Sequence, residues 1–179
     1  MGMMSAMLIP LGEYLNTTYR PDCDYIDGEV RKRNVGTRPH SEMLGALVAI
    51  FNNKKRAWGV TALPSVRVQT SASRVLVPDV TVVRRIGPAE PVIQTPPLVC
   101  CEILSPLDSF HDLQERVDEF LRMGVEHIWL VDPDSRHTYT ATSAGFQHHV
   151  SGQFTVPGTP IRISVAEIFA EFDEMPAQC

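Results

Sequence analysis

A mixed α/β (α+β) fold, with a central sheet flanked by helices and additional short antiparallel strands, is the architecture this sequence predicts. Three observations lead to it. Two segments, 39–53 and 109–123, carry apolar residues at helical spacing. The run "LVCCEILS" (98–105) is almost continuously apolar, as expected of a strand covered on both faces, and "EHIWLVDP" (126–133) reads as a buried strand that stops at Pro133. The last third holds shorter runs with polar patterning, which suit antiparallel strands. The 179 residues are 44% hydrophobic, enough for a sizeable core, and no repeat, low-complexity tract or linker divides them. A single domain over 1–179 is therefore expected.

Taken in order, Leu11 to Leu15 reads as a short helix. "CDYIDGEVRKRN" (23–34) places Asp27-Gly28 between two strand-like runs, a tight-turn signal that predicts a β-hairpin. In the helix over 39–53, Met43, Leu44, Leu47, Val48 and Phe51 form the apolar face, Pro39 suits the first turn and Thr37 suits the cap. "WGVTALPSVRVQTS" (58–71) and "RVLVPDVTVVRR" (74–85) are β-rich, and "IGPAEPVIQTPP" (86–97) is a loop by its prolines and glycine. The helix over 109–123 has Ser109 to cap it, Gly124 to end it, and a stripe of Phe110, Leu113, Val117, Phe120 and Leu121. "HTYTATS", "GFQHHVS" and "PIRIS" follow as short strands, and "VAEIFAEF" (165–172) as a closing amphipathic helix.

Composition excludes more than it selects. A net charge of −5 gives no basic surplus of the kind that marks a nucleic-acid binder, although a divalent cation and a local basic patch can offset acidic groups. No apolar run reaches the ~18 residues that span a membrane. The N-terminal "MGMMSAMLIP" lacks a basic leader region. The four cysteines, Cys23, Cys100, Cys101 and Cys179, form no CxxC pair, so neither a zinc site nor a disulfide framework is expected, and a cytoplasmic setting fits. Gly-rich phosphate loops and GxSxG elbows are absent from the sequence.

The chemistry-bearing residues are two carboxylates set in apolar surroundings. Asp79 interrupts "LVPDVTVV" (76–83) and Glu102 interrupts "LVCCEILS". Burying either is costly unless something positive meets it. If the two runs pair with these residues on one face, the carboxylates can share a hard cation such as Mg²⁺ or Mn²⁺. From spacing alone the commoner arrangement is a strand-end pair that faces solvent or meets an arginine.

The ordered set "YIDGEV", "RPHSEML", "VPDVTVV", "EILSP" and "DLQERVDEFLRMGVEHIWLVDP" resembles the Uma-type restriction endonuclease family, within the PD-(D/E)xK nuclease superfamily. The resemblance implies a restriction-endonuclease-like core and Mg²⁺- or Mn²⁺-dependent hydrolysis of DNA phosphodiesters. It implies Asp79, Glu102 and the backbone carbonyl of Ile103 as metal ligands, Asp24 and His40 as further site residues, and DNA as the partner. Related nucleases cut duplex DNA as two-fold dimers, so a homodimer is implied as well.

One departure bears on activity. The superfamily's lysine two residues after the glutamate is Leu104 here, and the Uma-type pattern D-L-x-x-K reads "DLQER", with Arg116 in the lysine's place. Arginine stays protonated and is a poor base, but it can hold a phosphate or stabilise developing negative charge. A catalytically degenerate protein of the same fold, binding DNA or a protein partner, is the alternative. Arg116 sits at the edge of its helix's apolar stripe, from where its guanidinium can reach Glu102. Asp24 has a plainer alternative in pairing with Arg31 or Arg33, and His40 in an exposed first helical turn. Arg31, Lys32, Arg33 and Arg38, with Arg84 and Arg85, are candidate phosphate contacts or an ordinary solvated face. Asp132 before Pro133 reads as a turn former, and His148 and His149 have no companion ligands nearby in sequence.

Overall fold

The computed structural model describes residues 8–33, 36–87 and 89–174. Cys179 and the first seven residues of the N-terminal stretch lie outside them. After a short helix, α1 (Leu11–Leu15), come strands β1 (Cys23–Ile26) and β2 (Glu29–Lys32), then the long helix α2 (Arg38–Trp58). Strands β3 (Val60–Pro64), β4 (Val68–Ser71), β5 (Arg74–Leu76), β6 (Val80–Arg84) and β7 (Val99–Ile103) lead to helix α3 (Phe110–Met123). Strands β8 (Ile128–Asp132), β9 (His137–Thr142), β10 (Gly145–His149), β11 (Gln153–Thr155) and β12 (Arg162–Ser164) precede helix α4 (Val165–Glu174).

These strands form a six-stranded sheet ordered β10-β9-β8-β7-β6-β3, a four-stranded sheet ordered β2-β1-β5-β4, and the pair β11-β12. The six-stranded sheet is mixed, because β7 and β8 run parallel around α3 while its other neighbours are antiparallel. Strand alternation divides β7 between two cores. Val99, Cys101 and Ile103 face α2 and α4, in a cluster with Met43, Leu47, Phe51 and Trp129. Cys100 faces α3 and the smaller sheet, with Ile26, Leu76, Val117, Phe120 and Leu130. Both faces are covered, which is why this strand reads as an apolar run that Glu102 alone interrupts. Trp129 anchors the first core, stacked between Phe154 and Phe51 at ring-centroid distances of 4.8 and 6.0 Å.

Local chemistry explains most element ends. The hairpin turn takes Asp27 and Gly28 through positive φ (51° and 98°), the geometry that Asp-Gly supplies. The side chains of Thr37 and Ser109 cap α2 and α3 by accepting from the amides of His40 and Asp112. Gly124 ends α3 at φ 101°, with Pro96 packed near where a side chain would start. Gly124→Ala is expected to cost about 1–3 kcal/mol in a urea unfolding titration, since alanine must adopt left-handed backbone there.

Four details differ from the sequence reading. Helix α2 runs on to Trp58, beyond the last apolar residue of its stripe, because Gly59 at φ 66° is the true stop. The runs 58–71 and 74–85 are each two strands in different sheets, so Asp79 lies in the joint between β5 and β6 and not inside one strand. Phe110, assigned to the apolar stripe of α3, is 68% exposed: it stands at the first turn, where it meets the edge strand β10 edge-on at Phe146, with ring centroids 5.6 Å apart. Strand β11 has no counterpart in the sequence pattern, as three residues carry too little periodicity to see. Among the described residues no helix is long and apolar enough to cross a membrane, and Cys23, Cys100 and Cys101 are buried free thiols.

Candidate functional site

The joint between the sheets builds the site. The antiparallel register pairs Val80 with Cys101. Extended by one residue, it sets Asp79 opposite Glu102, with their side chains on one face. Asp24 arrives from β1, His40 from the first turn of α2, and Arg116 from the second turn of α3. All five, with Arg33 just beyond β2, line a cavity of about 220 Å³. Asp79 and Glu102 are 2% and 4% exposed.

Every carboxylate oxygen in this centre faces a donor or a positive group. Asp79 Oδ1 accepts from Arg33 Nη2 at 2.6 Å, and its Oδ2 accepts from the Ile103 amide at 2.8 Å with His40 Nε2 3.3 Å away. Glu102 Oε1 accepts from Arg116 Nη2 (2.7 Å) and Nε (3.2 Å), while its Oε2 lies 3.8 Å from Arg33 Nη2. Asp24 Oδ1 accepts from the Val77 amide at 2.8 Å, and its Oδ2 is paired with Arg116 Nη1. Arg116 Nη2 also donates to the Val77 carbonyl at 3.1 Å. Thus three carboxylates meet two guanidiniums and an imidazole.

The electrostatics follow from that packing. Burial opposes ionisation of Asp79, but the His40 hydrogen bond, the Arg33 and His40 charges and the Ile103 amide together hold its carboxyl well below the usual range. Burial dominates at Glu102 and, with the Asp79 charge beside it, pushes the carboxyl up to about 7 against the pull of Arg116 and Arg33. The hydrogen bond to Asp79 raises His40 in spite of burial. Burial works against the charge on Arg116, yet Asp24 and Glu102 keep it firmly protonated. Gly36 matters to this arrangement: a methyl group there would stand 3.0 Å from His40 Nδ1.

The sequence candidates sort cleanly by position. Asp24, His40, Asp79, Glu102 and Arg116 converge, and Ile103 meets the centre through its amide. Asp24 spans Arg116 and the Val77 amide, and does not bond the arginines of its own hairpin. Arg31 and Lys32 line the same cavity, with Arg31 held by Glu29 and Glu115. Arg84 and Arg85 line a separate groove near β3 together with Thr61, Val83 and His127, so they do not extend the basic run. Asp132 accepts from the Asp134 and Ser135 amides and is a turn former. His148 meets His137 across β9 and β10, with ring centroids 4.6 Å apart. Arg33 is the functional-site residue whose place the sequence hid. It follows two basic residues and reads as one more solvated charge, but its side chain is only 20% exposed.

A divalent ion does not fit this donor set as it stands. An ion shared by Asp79 and Glu102 would have to sit where the Arg33 nitrogen sits, among groups whose charges are already balanced. Among the described residues no group of three or more His, Cys, Asp or Glu side chains is arranged to hold a metal ion.

A mixed sheet with helices on both faces and extra short antiparallel strands is a restriction-endonuclease-like architecture, here with opposed acidic residues at a cleft. The chain belongs to the Uma2 family, whose model, described as "Putative restriction endonuclease", matches residues 12–160. The fold is shared with a crystal structure described as "a putative nuclease belonging to DUF820 from Anabaena variabilis ATCC 29413". The two match with a TM-score of 0.78 at 21% identity, over 92% of this chain and 99% of that one. A cryoEM structure of a DrdV-DNA complex matches at a TM-score of 0.43 and 15% identity, over 79% of this chain and 12% of that one. No curated protein matches the sequence.

Proposed function

We propose that this chain is a catalytically degenerate member of its nuclease family, which keeps the cleft for binding DNA and has given up metal-dependent cleavage. The observation that carries the reading is Arg116. It stands where the family pattern has lysine, and its guanidinium is spent on Glu102, Asp24 and the Val77 carbonyl. A group held this way cannot accept a proton from water, and it lowers the attraction of Glu102 for any second cation. Support for DNA as the partner is the family description, together with Lys32 on the cavity wall.

The test is a supercoiled-plasmid assay with Mg²⁺ or Mn²⁺, run beside fluorescence anisotropy on labelled duplex. Binding without nicking, weakening as salt rises, is expected. Nicking that Asp79→Ala abolishes would overturn the reading.

The second reading is an active metal-dependent endonuclease, favoured by the opposition of Asp79 and Glu102 at the cavity. It makes a separate prediction at Arg116. If the site wants the family's lysine, Arg116→Lys should keep or raise Mn²⁺-dependent nicking, and if the chain is degenerate neither form should nick. If Arg116 is a working phosphate clamp, wild type should nick and Arg116→Lys should lose at least about tenfold, because an ammonium lacks the planar fork.

A further inference from the structure

We propose that Arg33 is the resident cation of the Asp79–Glu102 pair: its guanidinium takes the place a divalent ion would occupy and keeps such ions out. The inference deepens the degenerate reading and rests on it, since it says what has replaced the metal.

The geometry is specific. A single nitrogen, Arg33 Nη2, lies 2.6 Å from Asp79 Oδ1 and 3.8 Å from Glu102 Oε2, so it bridges the residue just before β6 and a residue of β7. Two carboxylates buried to this degree on one face repel each other and lose hydration, so a positive charge between them relieves a cost of burial. In a metal enzyme that charge arrives from solution. Here it is tethered, since Arg33 directly follows β2, whose register against β1 runs from Glu29 to Lys32. A tethered cation is present at high effective concentration, and a dissolved ion must displace it to enter.

The two arginines differ in how firmly they are held. Arg116 is fixed by Glu102, Asp24 and a main-chain carbonyl together. Among the described residues Arg33 has its two carboxylate contacts within the centre and no main-chain anchor there, and it sits on the side of Asp79 away from the Ile103 amide. Arg33 is therefore the removable member. Without it, Asp79 and Glu102 keep their places, because Ile103, His40 and Arg116 still anchor them, and they lack a counter-charge between them. That is the condition for taking a hard divalent ion through carboxylate oxygens.

The experiment is a titration of the full chain with Mn²⁺, following the electron paramagnetic resonance signal of the free ion and, in parallel, the melting temperature. Wild type is expected to leave millimolar Mn²⁺ free and its melting temperature unmoved. Arg33→Gln should bind at least about tenfold more tightly, within the usual range of coupling between competing ligands. Arg33→Lys, which keeps the charge, should stay close to wild type. Adding Asp79→Asn to Arg33→Gln should abolish the gain. Wild type that binds Mn²⁺ well below millimolar concentration, with its melting temperature raised, overturns the proposal, and that arm is read even if a variant fails to fold. A folded Arg33→Gln that binds no more tightly than wild type also overturns it. The plasmid assay separates this idea from the one beneath it. No gain of Mn²⁺ binding together with no nicking removes Arg33 alone. Nicking by wild type at Mn²⁺ concentrations where it binds removes both. Gain of binding without nicking in Arg33→Gln sustains both.

Discussion

Arg116→Ala should be among the most destabilising single substitutions in the site, by about 3–5 kcal/mol, the usual result of removing one partner from a buried ionic network. Glu102 and Asp24 would be left in the interior without their shared counter-ion, and the Val77 carbonyl without a donor. For a chain of this length, that loss lowers the melting temperature by roughly 10 °C. Arg116→Lys should recover part of it, because an ammonium keeps the charge but cannot reach three acceptors at once. Chemical denaturation of the three proteins side by side is the check. An Arg116→Ala protein as stable as wild type would mean the guanidinium balances nothing, and the network account would fail.

Asp79→Ala is expected to be comparably costly, about 3–5 kcal/mol, since it strands Arg33, His40 and the Ile103 amide together. Its conservative partner, Asp79→Asn, exposes a pH signature. The folded-state value of Asp79 lies below its unfolded value of ~3.9, so its contribution is present above about pH 4 and is lost as pH falls through the folded value. His40 is raised, so its contribution is full below ~6.5 and is lost as pH rises through its folded value. Asp79→Asn should therefore flatten the acid limb of the stability profile. It should flatten the alkaline limb too, because His40 then has no carboxylate to meet. His40→Asn should flatten the alkaline limb directly. Melting temperatures across the pH range decide this; parallel curves for wild type and Asp79→Asn would contradict the assignment.

Much of this was legible in the sequence, and the failures have physical causes. The caps at Thr37 and Ser109, the Asp27-Gly28 turn and the doubly covered β7 follow from local chemistry, which a sequence records directly. The placing of Asp79, Glu102, His40 and Asp24 as one set came from the resemblance, since those residues lie far apart in the chain and no periodicity links them. The split of 74–85 between two sheets is hard to see in the sequence because both halves are β-rich, and Pro78 between them is the local mark of the change. Arg33 was missed because a side chain's direction after the last paired residue of a strand depends on tertiary packing. Nothing in "RKRN" distinguishes the arginine that turns inward from its neighbours.

The bond from the Val77 amide to Asp24 has a thermodynamic consequence. One oxygen of Asp24 fastens the crossover where the chain passes from the smaller sheet to the larger, and the other holds Arg116. Any occupant of the cleft that draws Arg116 away therefore also loosens the seam between the sheets. By reciprocity, strain that opens the seam must change the occupant's affinity by the same factor. The cleft and the seam are two ends of one lever with Asp24 as its pivot, and the affinity of a partner can be tuned from the far side of that joint without touching the cleft.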